Sequence, residues 1–214
     1  MADRKQETIS RRRLRRRTPA LAAAMALMLL VGCAGHKPAD VENLCAVLDD
    51  GDWYEAALDS QERWGTPLHV QLAIMHQESR FVEDAKPARR KILGFIPGPR
   101  PSSAYGFAQA IDEIWDEYRR ASGNGGADRD DFEDAMDFIG WYTFETHRTL
   151  GISKWDARAQ YLAYHEGRGG YARGTYKHKP WLVGVADRVA AKASHYSAQY
   201  KQCKSRLDAL DDWF

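Results

Sequence analysis

Residues 85–104 hold four prolines, two glycines and five basic side chains, Lys86, Arg89, Arg90, Lys91 and Arg100. No regular helix survives that density of residues that lack an amide proton or favour turns. On either side the pattern is helical. "ENLCAVLDDGDWYEAALDSQERWG" sets Leu44, Val47 and Leu48, then Trp53, Ala57 and Leu58, at helical spacing, with a break near Asp50 and Gly51. "TPLHVQLAIMHQESRF" follows, with Leu68, Leu72 and Met75 on one stripe, Thr66 as a cap and Pro67 in the first helical position. Beyond the proline-rich stretch, "YGFAQAIDEIWDEYRRASG" predicts helix up to a glycine-rich turn. Asp130 or Asp131 is placed to cap "DFEDAMDFIGWYTFETHRTLG", which stops at Gly151. Ser153 is placed to cap "KWDARAQYLAYHEG", and "PWLVGVADRVAAKASHYSAQYKQC" is the last strong helix. No stretch alternates like a strand over a useful length, and no repeat occurs. The expectation is one all-α domain with a proline-rich insertion, which acts either as a lid or binding loop or as a plain surface loop.

The front of the chain has a different character. A basic arm containing "RRRLRRR" precedes "PALAAAMALMLLVG", an apolar run too short to read as a spanning helix, and the run ends at Cys33. A charged region, a short apolar region and small residues before a cut describe an export signal over residues 1–32. "LVGC" looks like a bacterial lipobox, which implies cleavage before Cys33 and lipid on it. A plain signal peptide is the other reading. "SRRRLR" leaves Sec and twin-arginine export both open. The tether then spans residues 33–42 and the domain residues 43–214. With Ala34 behind the cysteine, the expected place is the inner leaflet of an outer membrane, facing the periplasm.

Removing the signal reverses the charge. Residues 1–32 carry a net +6 and residues 33–214 a net −5, so a nucleic-acid partner is not expected. Cys45 and Cys203 remain near opposite ends of the domain. In an oxidising compartment they are disulfide candidates, and the alternative is two buried thiols. No zinc-type or EF-hand spacing is present, so neither metal nor other cofactor is expected.

Glu78 in "MHQESRF" is ambiguous alone, because most helix glutamates are solvated. Ile74, one turn earlier, makes its surroundings apolar, and burial against apolar groups raises a carboxyl pKa toward what a general acid needs. "AYGFAQ" (residues 104–109) and "LAYHEGRGGY" (residues 162–171) mix small, aromatic and hydrogen-bonding residues suited to sugar rings. The second also reads as a helix end with a glycine stop.

In this order the three stretches resemble the lytic transglycosylases of the lysozyme-like superfamily. The matching residues are Glu78 and Ser79, then Gly106, Phe107, Ala108 and Gln109, then Ala163, Tyr164, His165, Glu166 and Gly167. The likeness covers residues 67–200. It implies a helical fold around a groove for peptidoglycan glycan strands, with Glu78 as the single acid/base and Ser79, Tyr105, Gln109, Tyr164 and His165 as substrate-binding candidates. It further implies cleavage between N-acetylmuramic acid and N-acetylglucosamine, with the sugar's own 6-hydroxyl closing a 1,6-anhydro ring. Phe107 and Ala108 stand where the family has Leu and Met, His165 where it has Asn, and Glu166 where a small residue is common. Two other readings stay open. One is a muramidase hydrolase that uses Glu166, Glu83 or Asp84 as second carboxylate; the other is a lipid-anchored, non-catalytic glycan-binding protein. The basic loop from Lys86 to Arg100 is a candidate contact for muramyl-peptide carboxylates.

Overall fold

Seven α-helices enclose the core in the computed structural model, which describes residues 38–49 and 51–211. The signal over residues 1–32 and the lipidation at Cys33 lie outside the described residues. The helices are α1 (Leu44–Val47), α2 (Gly51–Trp64), α3 (Leu68–Ser79), α4 (Asp112–Ser122), α5 (Phe132–Leu150), α6 (Ala157–Ala172) and α7 (Pro180–Asp211), with a 3₁₀ turn at Thr175–His178.

α3 is the central helix. Leu68, Val70, Leu72, Ala73, Ile74 and Met75 are all buried, so nearly its whole circumference is covered. An α-helix apolar on every side belongs in the core. It packs against α2, α5, α6 and α7. Burying each large apolar side chain contributes roughly 1.5–3 kcal/mol, which makes α3 a firm platform. α2 and α5 approach closely at Gly140, where a Cβ would lie 2.4 Å from the Ser60 hydroxyl. That hydroxyl hydrogen-bonds Gln71 on α3 (2.8 Å) and the Met136 carbonyl on α5 (2.8 Å). Trp53 stacks on Phe132 at 3.9 Å and meets Phe107 edge-on, joining the start of α2 to the second motif.

Several helix starts differ from the sequence expectation. The Thr66 hydroxyl faces inward to Thr143 (2.8 Å), Pro67 occupies the N-cap, and the Leu68 amide is satisfied by the Gln61 side chain (3.0 Å). Asp156, not Ser153, caps α6, accepting from the Ala159 amide at 3.0 Å, while the Ser153 hydroxyl accepts from the Trp155 amide in the preceding turn. Asp131 caps α5 as its position suggests, and Gly151 ends it at φ 68°. Residues 105–110 are not helix: α4 begins at Asp112.

The proline-rich stretch contains a short hairpin, β1 (Lys91–Ile92) and β2 (Ile96–Pro97), which periodicity does not reveal because both strands are exposed on both faces. Its turn puts Leu93 at φ 54° and Gly94 at φ 81°.

The N-terminal segment lies along α7. The Tyr196 hydroxyl donates to the Val41 carbonyl, and Glu42 pairs with Lys192 and with His76 (3.1 Å), so residues 41 and 42 are docked on the domain. A disulfide joins Cys45 to Cys203 with Cα atoms 6.0 Å apart. α7 runs on to Asp211, because Leu207 is buried and Asp208 accepts from the Tyr54 hydroxyl (2.6 Å).

Candidate active site

Glu78 occupies the last turn of α3. The helix stops immediately after it because Arg80 and Phe81 both take left-handed backbone conformations (φ 53° and 59°), and Phe81 is driven into the core. The stop leaves the Glu78 carboxyl at the end of a rigid, buried helix, facing a cavity of about 520 Å³. Its lining comprises Gln109, Ala110, Ile111 and Ile114, Phe138 and Tyr142 of α5, and Tyr164, His165, Glu166 and Gly167 of α6. Ser102 stands at the edge.

Burial pushes the Glu78 carboxyl up to about 7, only partly offset by a hydrogen bond from the Tyr161 hydroxyl. The negative end of the α3 dipole acts in the same direction as burial. The group is therefore protonated in a large fraction of molecules near neutral pH and able to give up that proton, as acid–base catalysis requires.

The second motif is a tight loop closed by Tyr105 and Ala110, whose backbones pair (3.3 Å). Gly106 sits at φ 76° against the chain before α5, where a Cβ would fall 1.8 Å from the Arg129 carbonyl oxygen, so no larger residue fits. Gln109 is itself left-handed (φ 49°), and its amide nitrogen donates to the Ala85 (2.9 Å) and Gly106 (2.8 Å) carbonyls. Both amide protons are thus spent on the scaffold, which leaves the Gln109 side-chain oxygen as the group free to accept from a ligand.

The third motif lies where α6 breaks. Gly167 has φ 72° and ψ 154° inside the helix, a conformation essentially restricted to glycine. Just before the break, the Tyr164 hydroxyl donates to the Ala108 carbonyl (2.6 Å), fastening the third motif to the second. Its ring packs edge-on against Tyr142 (4.9 Å), whose hydroxyl donates back to the Ala163 carbonyl (3.1 Å). Just after the break, Arg168 pairs with Glu117 of α4 (2.9 Å) and lies over the Tyr142 ring.

Glu166 is in a different state from Glu78. Burial alone acts to raise its pKa, but hydrogen bonds from Lys179 (2.7 Å), Thr175 and His165 (3.3 Å) outweigh it and hold the carboxyl down at about 2. His165 is half-exposed at the cavity rim and meets the exposed Trp181 edge-on at 5.3 Å.

Of the residues picked from sequence, the structure brings Glu78, Gln109, Tyr164 and His165 together on one cavity. Ser79 is buried behind it, with its hydroxyl turned back to the Met75 carbonyl (3.4 Å). Tyr105 points away, donating to Asp130 (2.7 Å) beneath the Lys86 and Arg129 cations, and lines a separate depression with Asp112 and Trp115. Tyr142 and Tyr161 escape sequence reading because a tyrosine at helical spacing looks like core. The only hint is that Tyr161, Tyr164 and His165 share one face of α6.

An all-α, lysozyme-like fold that sets an acid of raised pKa in a cavity lined by tyrosines and polar groups is the arrangement of enzymes that cleave polysaccharide chains. The family model described as the transglycosylase SLT domain matches residues 21–203, and the chain belongs to that family. Its function is accordingly of the lytic transglycosylase type, the degradation of peptidoglycan. No curated protein matches the chain in a sequence comparison.

Proposed function

We propose that the chain cleaves the β-1,4 bond between N-acetylmuramic acid and N-acetylglucosamine with Glu78 as its single acid and base. The observation that carries this reading is that Glu78 faces the cavity with its carboxyl pushed up to about 7 by burial, while both oxygens of Glu166 are already engaged, one by Lys179 and His165 and the other by Thr175. Protonated Glu78 gives its proton to the glycosidic oxygen, and the bond from C1 breaks. The resulting carboxylate then takes the proton of the muramic 6-hydroxyl as that oxygen closes on C1. The product is a 1,6-anhydro sugar, no water is consumed, and Glu78 regains its proton. The substrate's N-acetyl group stabilises the charge at C1, a substrate-assisted scheme that dispenses with a second carboxylate. The Gln109 oxygen accepts from the sugar's amide, Tyr142 and Tyr164 form the apolar seat, and His165 contacts the rim. The chain acts from the periplasmic face of an outer membrane, tethered by lipid at Cys33; a wild-type chain that takes up no more labelled fatty acid in cells than its Cys33→Ala variant would refute the tether.

A hydrolase reading has one observation in its favour, since Glu166 lines the same cavity. Mass spectrometry of digested sacculi separates the two. Anhydro ends, absent with Glu78→Gln, are the expected result; reducing ends mean hydrolysis. A Glu78→Gln variant as active as wild type would remove Glu78 from the chemistry; glycan binding without cleavage by either chain would leave the non-catalytic binding role.

A further inference from the structure

The hairpin β1–β2 has no part in the chemistry at Glu78, yet it is the most unusual surface in the molecule. Its four apolar side chains are in solvent: Leu93 is 78% exposed, Phe95 75%, Ile92 50% and Ile96 43%. Apolar groups concentrated at the tip of one projecting element mark a contact surface rather than chance exposure. In sequence the tip is flanked by a collar of five cations, Lys86, Arg89, Arg90, Lys91 and Arg100, with Lys86 lying over the Tyr105 ring, and residues 85–111 contain no acid. None of the five pairs with a carboxylate among the described residues; Arg89 and Arg100 instead donate to the Gly98 and Pro87 carbonyls and close the neck of the hairpin. The collar stands out against its setting, since the rest of residues 33–214 holds 18 basic and 28 acidic side chains. The base of the arm is fixed, because the Ala85 carbonyl accepts from both the Gly106 amide (3.0 Å) and Gln109 (2.9 Å).

We infer that this hairpin is a wedge for an anionic phospholipid surface, with Leu93 and Phe95 entering the head-group and acyl boundary while the collar sits among the phosphates. An apolar tip above a cationic ring is the arrangement that interfacial insertion selects, each cation near the surface adding to the attraction. Carboxylates of peptidoglycan stems would satisfy the cations but leave all four apolar side chains in water. Ser102, five residues past β2, lines the Glu78 cavity, so a seated wedge holds the cavity beside the bilayer. The inference does not depend on which glycosidic chemistry Glu78 performs.

The test uses the whole chain with Cys33→Ala, carrying a nitroxide at Phe95→Cys or, as control, at Arg120→Cys on the exposed side of α4. On phosphatidylglycerol vesicles the label at 95 should gain oxygen contact and lose contact with a water-soluble nickel chelate, while the label at 120 stays in water. Adding Arg90→Gln and Lys91→Gln should shift the insertion equilibrium at 95 by about thirtyfold toward water. No change at 95 on these vesicles, an equal response on phosphatidylcholine, or equal burial of position 120 would each overturn the proposal. Immobilisation of the label by sacculi without insertion into vesicles would also overturn it and assign the hairpin to the cell wall.

Discussion

At the scale of single residues, Glu78 is a group whose burial costs stability so that a proton can be held. Its folded pKa, about 7, lies above the unfolded value of 4.5. Between those two values the folded chain binds a proton that the unfolded chain has released, so stability falls as pH rises through the window and is flat above it. The penalty above pH 7 is on the order of 3 kcal/mol. Glu78→Gln should therefore melt higher than wild type at pH 8 and nearly level with it at pH 4.5, as thermal unfolding at the two pH values will show. For activity, the need for a protonated acid predicts a rate that declines above about pH 7. Tyr161 donates to the Glu78 carboxylate and holds its pKa down. Tyr161→Phe should move the declining limb of the pH–rate profile upward, whereas a residue serving only to pack would change the rate without moving that limb.

At the scale of elements, the two turns beside the cavity are set by glycine. Gly106→Ala places a methyl on the Arg129 carbonyl and forces a left-handed alanine, so a loss of about 3 kcal/mol or more in chemical denaturation is expected, together with lower activity. This loop also shows where sequence reading reaches its limit. "AYGFAQ" reads as a ligand-facing stretch, but of its residues only Gln109 lines the cavity, Phe107 and Ala108 being buried and Tyr105 turned away; the stretch matches helical spacing as well, and contacts from Ala85, Arg129 and Tyr164 hold the loop open. Local ambiguity likewise hid the caps: Thr66 and Ser153 are sound capping residues, displaced because Thr143 claims one and Asp156 lies three residues past the other. Glu78 and Tyr164 were legible because their motifs are short and local. Tyr161 and Tyr142 were not, because their importance arises from helices α3, α5 and α6 meeting in space.

At the scale of the whole molecule, the Cys45–Cys203 bond closes nearly the entire domain into one loop, with a sequence separation of 158 residues. In the chain-entropy model that is worth about 5 kcal/mol before any strain, and native bonds of this kind commonly deliver about 2–5 kcal/mol. Replacing both cysteines with serine should lower the melting temperature by roughly 5–15 °C for a chain of this size, with the activity at 25 °C retained.

The same bond determines how the domain bears load. α1 has only four residues, and a segment so short would peel from its neighbour under a steady pull from the N-terminal side. If the chain is held at Cys33 as proposed, such a pull passes through Val41 and Glu42 and then through a covalent link into α7, a helix about 48 Å long that packs against α3 and α6. Tension arriving from the tether is thus spread along a rigid spar. The cavity, lined by residues of α3, α5 and α6, would keep its shape under that load.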